Sequence, residues 1–196
     1  GELMVGRLLV ITGASGVGKS TLTTRVASAL EFEKVASTDT VREILRTQLG
    51  IEAEPALHRS SFQPAGSGAI EDWRATIVPL SDGIEAVIER AHRRGSDLLL
   101  EGVHIAPSFT LLDDWRAAGG RACGVVLHVD DLEEHVRMIA SRQEHNDRSA
   151  RHYLDHIEQI RQIHDEMVRL GSENGWLLID VTLEDNPLRA IETAMK

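Results

Sequence analysis

The chain alternates between short apolar runs and segments in which apolar residues recur at helical spacing. Short runs rich in leucine and β-branched side chains are typical of buried strands. A helix is indicated after the first run, where Leu22, Val26 and Leu30 lie four residues apart. The run at 33–38 is half polar and is the weakest strand signal. The predicted strands cover residues 8–12, 33–38, 98–102, 123–129 and 176–181.

Strands and helices that alternate along a chain build a parallel sheet with helices on both faces, joined by right-handed crossovers. We therefore predict an α/β fold with three αβα layers and a five-stranded parallel sheet. A chain of 196 residues suits one such unit, and no linker or internal repeat divides it. We expect residues 7–196 to form a single domain.

Local signals predict where several helices begin and end. Thr40 is followed three residues later by Glu43, a capping box that predicts a helix start at Thr40. Asp131 and Glu134 have the same spacing and predict a later start. Pro79 lies inside a segment of helical spacing and is expected to break or kink it.

Two polar segments interrupt the pattern. Residues 55–68 are polar and rich in Gly, which predicts a loop. A loop of this length is usually a lid, a substrate-binding segment or disordered, and we expect it to serve the acceptor. The segment at about 141–152 contains Arg142, Arg148 and Arg151. A solvated helix end with surface ion pairs is one interpretation of these arginines. We favour a short Arg-rich lid, because arginines that close over phosphates stabilise the charge of a transferred group.

The turn after the first strand carries the strongest chemical signal. Residues 13–21 fit the pattern G-x-x-x-x-G-K-[ST] between a strand and a helix. Such a loop presents backbone amides and a helix N-terminus to phosphates. Lys19 can reach the β- and γ-phosphates, and the Ser20 hydroxyl can bind Mg²⁺. The motif predicts a P-loop NTPase fold with ATP and Mg²⁺ as cofactors. The predicted nucleotide-binding residues are Gly13, Ala14, Ser15, Gly16, Val17, Gly18, Lys19, Ser20 and Thr21.

Further candidates follow the second and third strands. Because ligands bind at the carboxyl ends of parallel strands, Asp39 and Glu101 are placed where function is expected, Glu101 as support for Mg²⁺. The competing interpretations are helix-start electrostatics for Asp39 and a solvated carboxylate for Glu101. Arg42 opposes the helix dipole in the first turn, which favours an anion contact. For His104, a structural role and a ligand contact are equally supported.

A pair of histidines, His152 and His156, has the spacing of metal ligands on a helix. Neither a cysteine nor a His-Glu-x-x-His pattern accompanies the pair. This context favours a solvated helix face over a metal site.

The composition limits the partners. A net charge of -10 argues against a general nucleic-acid binder, but not against ATP, which is bound locally. The single cysteine, Cys123, suits a reducing cytoplasm. We see neither a signal peptide nor an apolar run of the roughly 20 residues that a membrane helix needs. We expect a cytoplasmic protein whose partner is a small-molecule acceptor, with neither nucleic acid nor membrane as a partner.

Three groups of residues together resemble a known family. They are Gly16–Thr21, then Ser37–Glu43 with Leu57–Phe62, and finally Glu101–Pro107. These resemble the 2-phosphoglycerate kinases, which are P-loop kinases similar in their core to nucleoside monophosphate kinases. The resemblance covers most of residues 7–187. It implies transfer of the γ-phosphoryl group of ATP to the 3-hydroxyl of 2-phosphoglycerate, giving 2,3-bisphosphoglycerate.

The resemblance also implies roles for individual residues. Asp39 would orient or deprotonate the acceptor hydroxyl, and the arginines of the lid would close over the phosphates. A doubly anionic acceptor needs more positive charge than the P-loop supplies. The implied catalytic residues are Lys19, Asp39, Glu101 and Arg142. The implied substrate-binding residues are Asp39, Arg42, His58, Arg59, Ser61 and His104. The implied metal ligands are Ser20 and Glu101, and the lid residues are Arg142, Arg148 and Arg151.

Other functions stay open at this point. A kinase of the same build could act on a sugar, a polyol or an antibiotic. A nucleotide-dependent switch is a second alternative, although the chain lacks the Asn-Lys-x-Asp pattern that reads guanine. The net negative charge of the chain disfavours a polynucleotide kinase.

Overall fold

A parallel sheet forms the centre of the computed structural model, which describes residues 5–141 and 147–196, apart from the side chains of 147–149. Its strand order is β2-β3-β1-β4-β5, and every neighbouring pair is parallel. The predicted five-stranded parallel sheet is confirmed. The strands are β1 (Arg7–Gly13), β2 (Val35–Ser37), β3 (Leu98–Glu101), β4 (Arg121–His128) and β5 (Leu177–Asp180).

Helices connect the strands, and two short 3₁₀ helices at Pro55–His58 and Val78–Leu80 interrupt the connections. Pro79 lies in the second of these and separates two helices, as predicted. The helices are α1 (Lys19–Ala29), α2 (Thr38–Gln48), α3 (Ala69–Ile77), α4 (Ser81–Arg93), α5 (Thr110–Ala117), α6 (Leu132–Ser141), α7 (Asp147–Asp155), α8 (Ile157–Glu173) and α9 (Pro187–Ala194).

The sheet is buried on both faces. In β1, Leu8 and Val10 belong to one apolar cluster, while Leu9 and Ile11 belong to the other. Side chains from α3, α4, α5 and α8 cover the first face, and side chains from α1 and α9 cover the second. Burial on both sides explains why the strands appear in the sequence as continuous apolar runs.

The start of α2 differs from the prediction. The helix begins at Thr38, and the Ser37 side chain accepts a hydrogen bond from the Asp39 amide at 3.2 Å. Thr40 was therefore the wrong N-cap. Ser37 offers the same capping chemistry three residues earlier, directly where β2 ends. Asp39 consequently lies within the first turn of α2, still at the carboxyl edge of the sheet.

The helices within the described ranges are too short or too polar to cross a lipid bilayer.

Gly124 in β4 packs against the indole ring of Trp176. A Cβ atom at this position would overlap the ring. The ring is held in place, because its Nε1 donates to the Ser108 carbonyl at 3.0 Å. The close approach of strand and ring therefore requires glycine.

We predict that Gly124→Ala lowers the free energy of unfolding by about 1–3 kcal/mol, the usual cost of overpacking a core. The measurement is urea-induced unfolding monitored by circular dichroism. Gly50→Ala is the control, because a Cβ there meets no atom within 4 Å. If both variants were equally stable, the contact with Trp176 would not constrain the strand.

Candidate active site

The candidate site lies where the central strand β1 ends. The loop 13–18 leaves this strand, and Glu101 ends the neighbouring strand β3. Because the strands are parallel, their carboxyl ends meet at one edge of the sheet. The phosphate-binding motif and the carboxylate that were far apart in sequence are thus neighbours in space.

Two glycines give the phosphate loop its shape. Gly16 and Gly18 have φ angles of 84° and 85°, in the left-handed region that glycine adopts without strain. A Cβ at Gly16 would also overlap the side chain of Ile139 on α6. The Lys19 ammonium reaches back over the loop and donates to the Ala14 carbonyl at 3.0 Å. Loop backbone and ammonium group therefore surround one space that suits an anion.

Two cavities flank the phosphate loop. The inner cavity has a volume of about 400 Å³, and the outer cavity has a volume of about 340 Å³. The inner cavity is lined by Ser15, Asp39, Arg42, Ser60, Ser61, Phe62, Val103, His104, His152 and Tyr153. The outer cavity is lined by Gly16, Val17, Gly18, Thr21, Leu22, Arg25, Met138, Ser141, Val181 and Pro187. The loop thus separates two spaces that could each hold one ligand.

His104 lines the inner cavity and is only 3% exposed. Its Nδ1 atom lies 3.0 Å from the Thr38 hydroxyl and 3.8 Å from a carboxylate oxygen of Asp39. Burial lowers the pKa of His104 to about 4, with Asp39 opposing the shift, so the ring is neutral near pH 7. Its Nε2 atom is buried and has no hydrogen-bond partner among the described residues.

Arg42 supplies positive charge to the same cavity. One of its terminal nitrogens donates to the Arg59 carbonyl at 3.1 Å, while its Nε is buried without a partner within the described ranges. A buried polar atom that lacks a partner costs about 1–3 kcal/mol. His104 and Arg42 therefore form a polar surface that a hydrogen-bonding ligand would satisfy.

Glu101 is half-buried at the end of β3. Burial raises the pKa of its carboxyl group, against the opposing effects of Lys19 and of a hydrogen bond from the Ser37 side chain. Lys19 is thus close enough to act on this carboxylate, and Ser20 follows Lys19 at the start of α1. A carboxylate and a hydroxyl are hard oxygen ligands of the kind that Mg²⁺ prefers.

The segment after Glu101 is held by buried hydrogen bonds. The Thr12 hydroxyl lies within 3.0 Å of the carbonyls of Gly102 and Ile105. The indole Nε1 of Trp73 donates to the Val103 carbonyl at 2.8 Å. These bonds fix the backbone that carries His104.

Helix α7 forms the roof of the inner cavity. His152 Nε2 lies 3.0 Å from the Ser60 hydroxyl, and the Phe62 ring contacts the rings of His152, Tyr153 and His156 at centroid distances of 5.0, 5.3 and 5.6 Å. The interpretation of His152 and His156 as a solvated face was wrong. The sequence signal that was available is a pair of ring side chains beside a polar segment, in a chain whose loop 55–68 also contains a Phe.

His58 and Arg59 do not line the inner cavity, contrary to the placement implied by the resemblance. His58 Nε2 donates to the Leu49 carbonyl at 2.7 Å, which ties the 3₁₀ helix to the end of α2. The Arg59 guanidinium donates to the carbonyls of Gln63 and Asp72 at 3.3 and 2.9 Å. Both side chains therefore brace the loop 55–68, whereas Ser61 does line the cavity.

The structure describes only some of the predicted lid arginines. Arg142 lies outside the described residues. Arg148 belongs to α7, and Arg151 is exposed one residue before His152. The Arg151 side chain is described and does not line the inner cavity.

A second group of titratable residues lies behind the phosphate loop. His128, Asp130 and His164 bring one potential ligand atom each within 4.8 Å of one another. Both nitrogens of His164 are already engaged, however. Nε2 accepts from the Val129 amide at 3.0 Å, and Nδ1 pairs with Asp165 at 2.8 Å. The geometry of this group suits a hydrogen-bond network better than a metal site.

Acid should destabilise the folded protein through its buried neutral histidines. Burial lowers the pKa of both His104 and His135 from 6.5 to about 4. Between these values the unfolded chain binds more protons than the folded chain, so stability is complete above about pH 6.5 and is lost as the pH falls towards 4. Each such histidine contributes up to about 1.4 kcal/mol per pH unit.

We predict that His104→Gln reduces this pH dependence, because the variant has one fewer group to protonate on unfolding. The measurement is the free energy of unfolding in urea at a series of pH values within that window. If the stability of the variant depended on pH as steeply as that of the wild type, His104 would not be held neutral by the fold.

Comparisons with known proteins agree with this geometry. No family model matches the sequence. The chain is 31% identical to the 2-phosphoglycerate kinase of Thermococcus kodakarensis over 96% of its own length and 66% of the relative. It is 28% identical to the 2-phosphoglycerate kinase of Pyrococcus horikoshii over 100% of its own length and 66% of the relative. The chain thus spans about two thirds of the length of these curated relatives.

A solved structure supports the fold independently. The gluconokinase of Sinorhizobium meliloti 1021 matches with a TM-score of 0.52 at 18% identity, covering 98% of this chain and 90% of that chain. At this identity the match establishes the fold alone. The sequence relatives show that the chain belongs to the 2-phosphoglycerate kinase family.

Proposed function

We propose that this protein is an ATP- and Mg²⁺-dependent kinase that phosphorylates a hydroxyl of a small anionic acceptor, with 2-phosphoglycerate as the first candidate. The observation that carries the proposal is the position of the phosphate loop between two cavities. The inner cavity is lined by His104 and Arg42, whose Nε2 and Nε atoms have no hydrogen-bond partner in the described part of the chain. A phosphoryl group held on the loop would lie within reach of an acceptor in the inner cavity.

In this proposal the nucleotide occupies the loop and the outer cavity. The backbone of residues 13–18 and the Lys19 ammonium bind the phosphates, and the nucleoside extends past Thr21 and Met138. Ser20 and Glu101 would hold Mg²⁺, which when bound neutralises charge on the phosphates. Lys19 adds a second positive charge at the same place.

The acceptor occupies the inner cavity. The Arg42 guanidinium can bind a phosphate or carboxylate, and the His104 Nε2 atom and the Ser61 hydroxyl offer further hydrogen bonds. Ser60 and His152, already 3.0 Å apart, close the opposite side. An acceptor that carries two anionic groups and one free hydroxyl, such as 2-phosphoglycerate, matches these groups in charge and size.

The transfer itself requires one proton acceptor. The acceptor oxygen forms a bond to the γ-phosphorus, the bond from that phosphorus to the bridging oxygen breaks, and ADP leaves. Asp39, on the first turn of α2 at the cavity, takes the proton of the hydroxyl. Lys19 and the predicted lid residues Arg142, Arg148 and Arg151 would stabilise the charge of the transferred group.

The setting that we propose for this reaction is the cytoplasm, where ATP and Mg²⁺ are available and where one buried free thiol is ordinary. A small molecule is the proposed partner. The net charge of -10 disfavours long nucleic acids and anionic membrane surfaces as partners.

We predict selective ADP release with MgATP and 2-phosphoglycerate in a panel of phosphorylated acids, sugars, nucleosides and amino alcohols. Mass spectrometry should show a doubly phosphorylated product. Lys19→Ala is the control that should abolish turnover while the protein still unfolds cooperatively. If the protein turned over another alcohol and not 2-phosphoglycerate, the proposed mechanism would stand with a different acceptor. Tight MgATP binding without any turnover would instead favour a nucleotide-dependent switch.

Asp39→Asn should lower kcat about 100-fold or more and leave the affinity for MgATP within about threefold, because the amide cannot accept the proton. Glu43→Gln is the matched control, since this carboxylate lies one turn later on the same helix and is also exposed. Steady-state kinetics measure kcat, and calorimetry measures the affinity for MgATP. Equal losses in both quantities would remove Asp39 from the acceptor role.

A further inference from the structure

A fully buried histidine holds the phosphate loop from behind. His135 lies on α6 and is 0% exposed, and its Nε2 atom is 2.9 Å from the Ser15 carbonyl oxygen. Because a carbonyl only accepts, Nε2 must carry the hydrogen and donate it. This bond joins α6 to a residue of the loop itself, and it is distinct from every contact of the inner cavity described above.

Arg161 on α8 fixes the tautomer of this ring. Its Nη1 atom lies 3.1 Å from His135 Nδ1, and a guanidinium only donates, so Nδ1 must accept. The same guanidinium donates to the carbonyls of Val129 and Asp130, the latter at 2.8 Å, just beyond the end of β4. Arg161 and His135 thus form a connected series of hydrogen bonds from the sheet to the phosphate loop.

The bond to Ser15 determines where the next amide points. In a trans peptide the carbonyl and the following N–H point in opposite directions. With the Ser15 carbonyl directed outward to His135, the Gly16 N–H is directed to the opposite side, towards the anion space of the loop. Ile139, one turn after His135 on α6, closes off the back of Gly16, where a Cβ would overlap it.

We propose that His135 is a positioning residue that orients the Ser15–Gly16 peptide for phosphate binding, with Arg161 holding its ring in the donating tautomer. This inference rests on the proposed function, because it assumes that the loop binds the phosphates of a nucleotide. His135 itself touches neither ligand. Its contribution should appear in the affinity of the protein for polyphosphate.

Two amide side chains separate this role from general support of the core. Glutamine at 135 is long enough to accept from Arg161 with its oxygen and to donate to Ser15 with its nitrogen. Asparagine keeps the amide but is one methylene shorter, so it can pair with Arg161 and not with the Ser15 carbonyl. His135→Gln and His135→Asn therefore differ in the one hydrogen bond under test.

The experiment measures calorimetric binding of MgATP and of magnesium tripolyphosphate to the full chain. His135→Asn should raise both dissociation constants about tenfold or more. The two factors should be equal, because the lost hydrogen bond lies at the phosphate site. His135→Gln should stay within about threefold of the wild type. His135→Leu, which fills the buried site without any hydrogen bond, repeats the test should the asparagine variant fail to fold. Leu112→Ala, a buried change in α5 that lines neither cavity, controls for lost stability.

Unchanged dissociation constants in folded His135→Asn or His135→Leu protein would overturn the inference and leave the proposed function standing. If His135→Gln or Leu112→Ala weakened binding as much as His135→Asn, the inference would also be overturned, because the effect would then follow stability and not the Ser15 bond. A wild-type protein that binds neither MgATP nor tripolyphosphate would overturn the proposed function first, and the inference with it.

Discussion

A loop can present its amides to an anion only if its carbonyls are satisfied elsewhere. The structure meets this constraint at Ala14 and Ser15, whose carbonyls accept from Lys19 Nζ and His135 Nε2. The loop also packs tightly between β4 and α6. A Cβ at Gly13 would come within 2.8 Å of the Leu127 carbonyl, and Gly16 packs directly on Ile139. The loop is therefore shaped by its neighbours as much as by its own glycines. Strand order places it at the centre of the sheet, where both cavities can open beside it.

The inner cavity is assembled from segments that are distant in sequence. Helix α2 provides Asp39 and Arg42, the loop after β3 provides His104, and α7 provides His152. Only the parallel sheet brings these segments together, since it directs successive strand ends to one edge. Burial also changes the chemistry at this edge of the sheet, since it lowers the pKa of His104 and raises the pKa of Glu101.

Local signals predicted the strands and the phosphate loop, because apolar runs and glycine spacing act over a few residues. They were less informative where two choices were locally equivalent, as for Ser37 and Thr40 at the start of α2. They could not give side-chain direction either. The family resemblance implied that Arg59 binds the acceptor, whereas its side chain braces its own loop. His135 and His152 owe their positions to contacts with distant segments, which helical spacing alone cannot reveal.

The packing of Phe62 against α7 has a consequence for molecular recognition. The ring lies between the loop that forms one wall of the inner cavity and the helix that forms its roof. A larger acceptor would have to separate these aromatic contacts before it could enter. Under the proposed function, the cohesion between Phe62 and α7 would therefore limit the size of the acceptor, separately from the groups that would bind its charges.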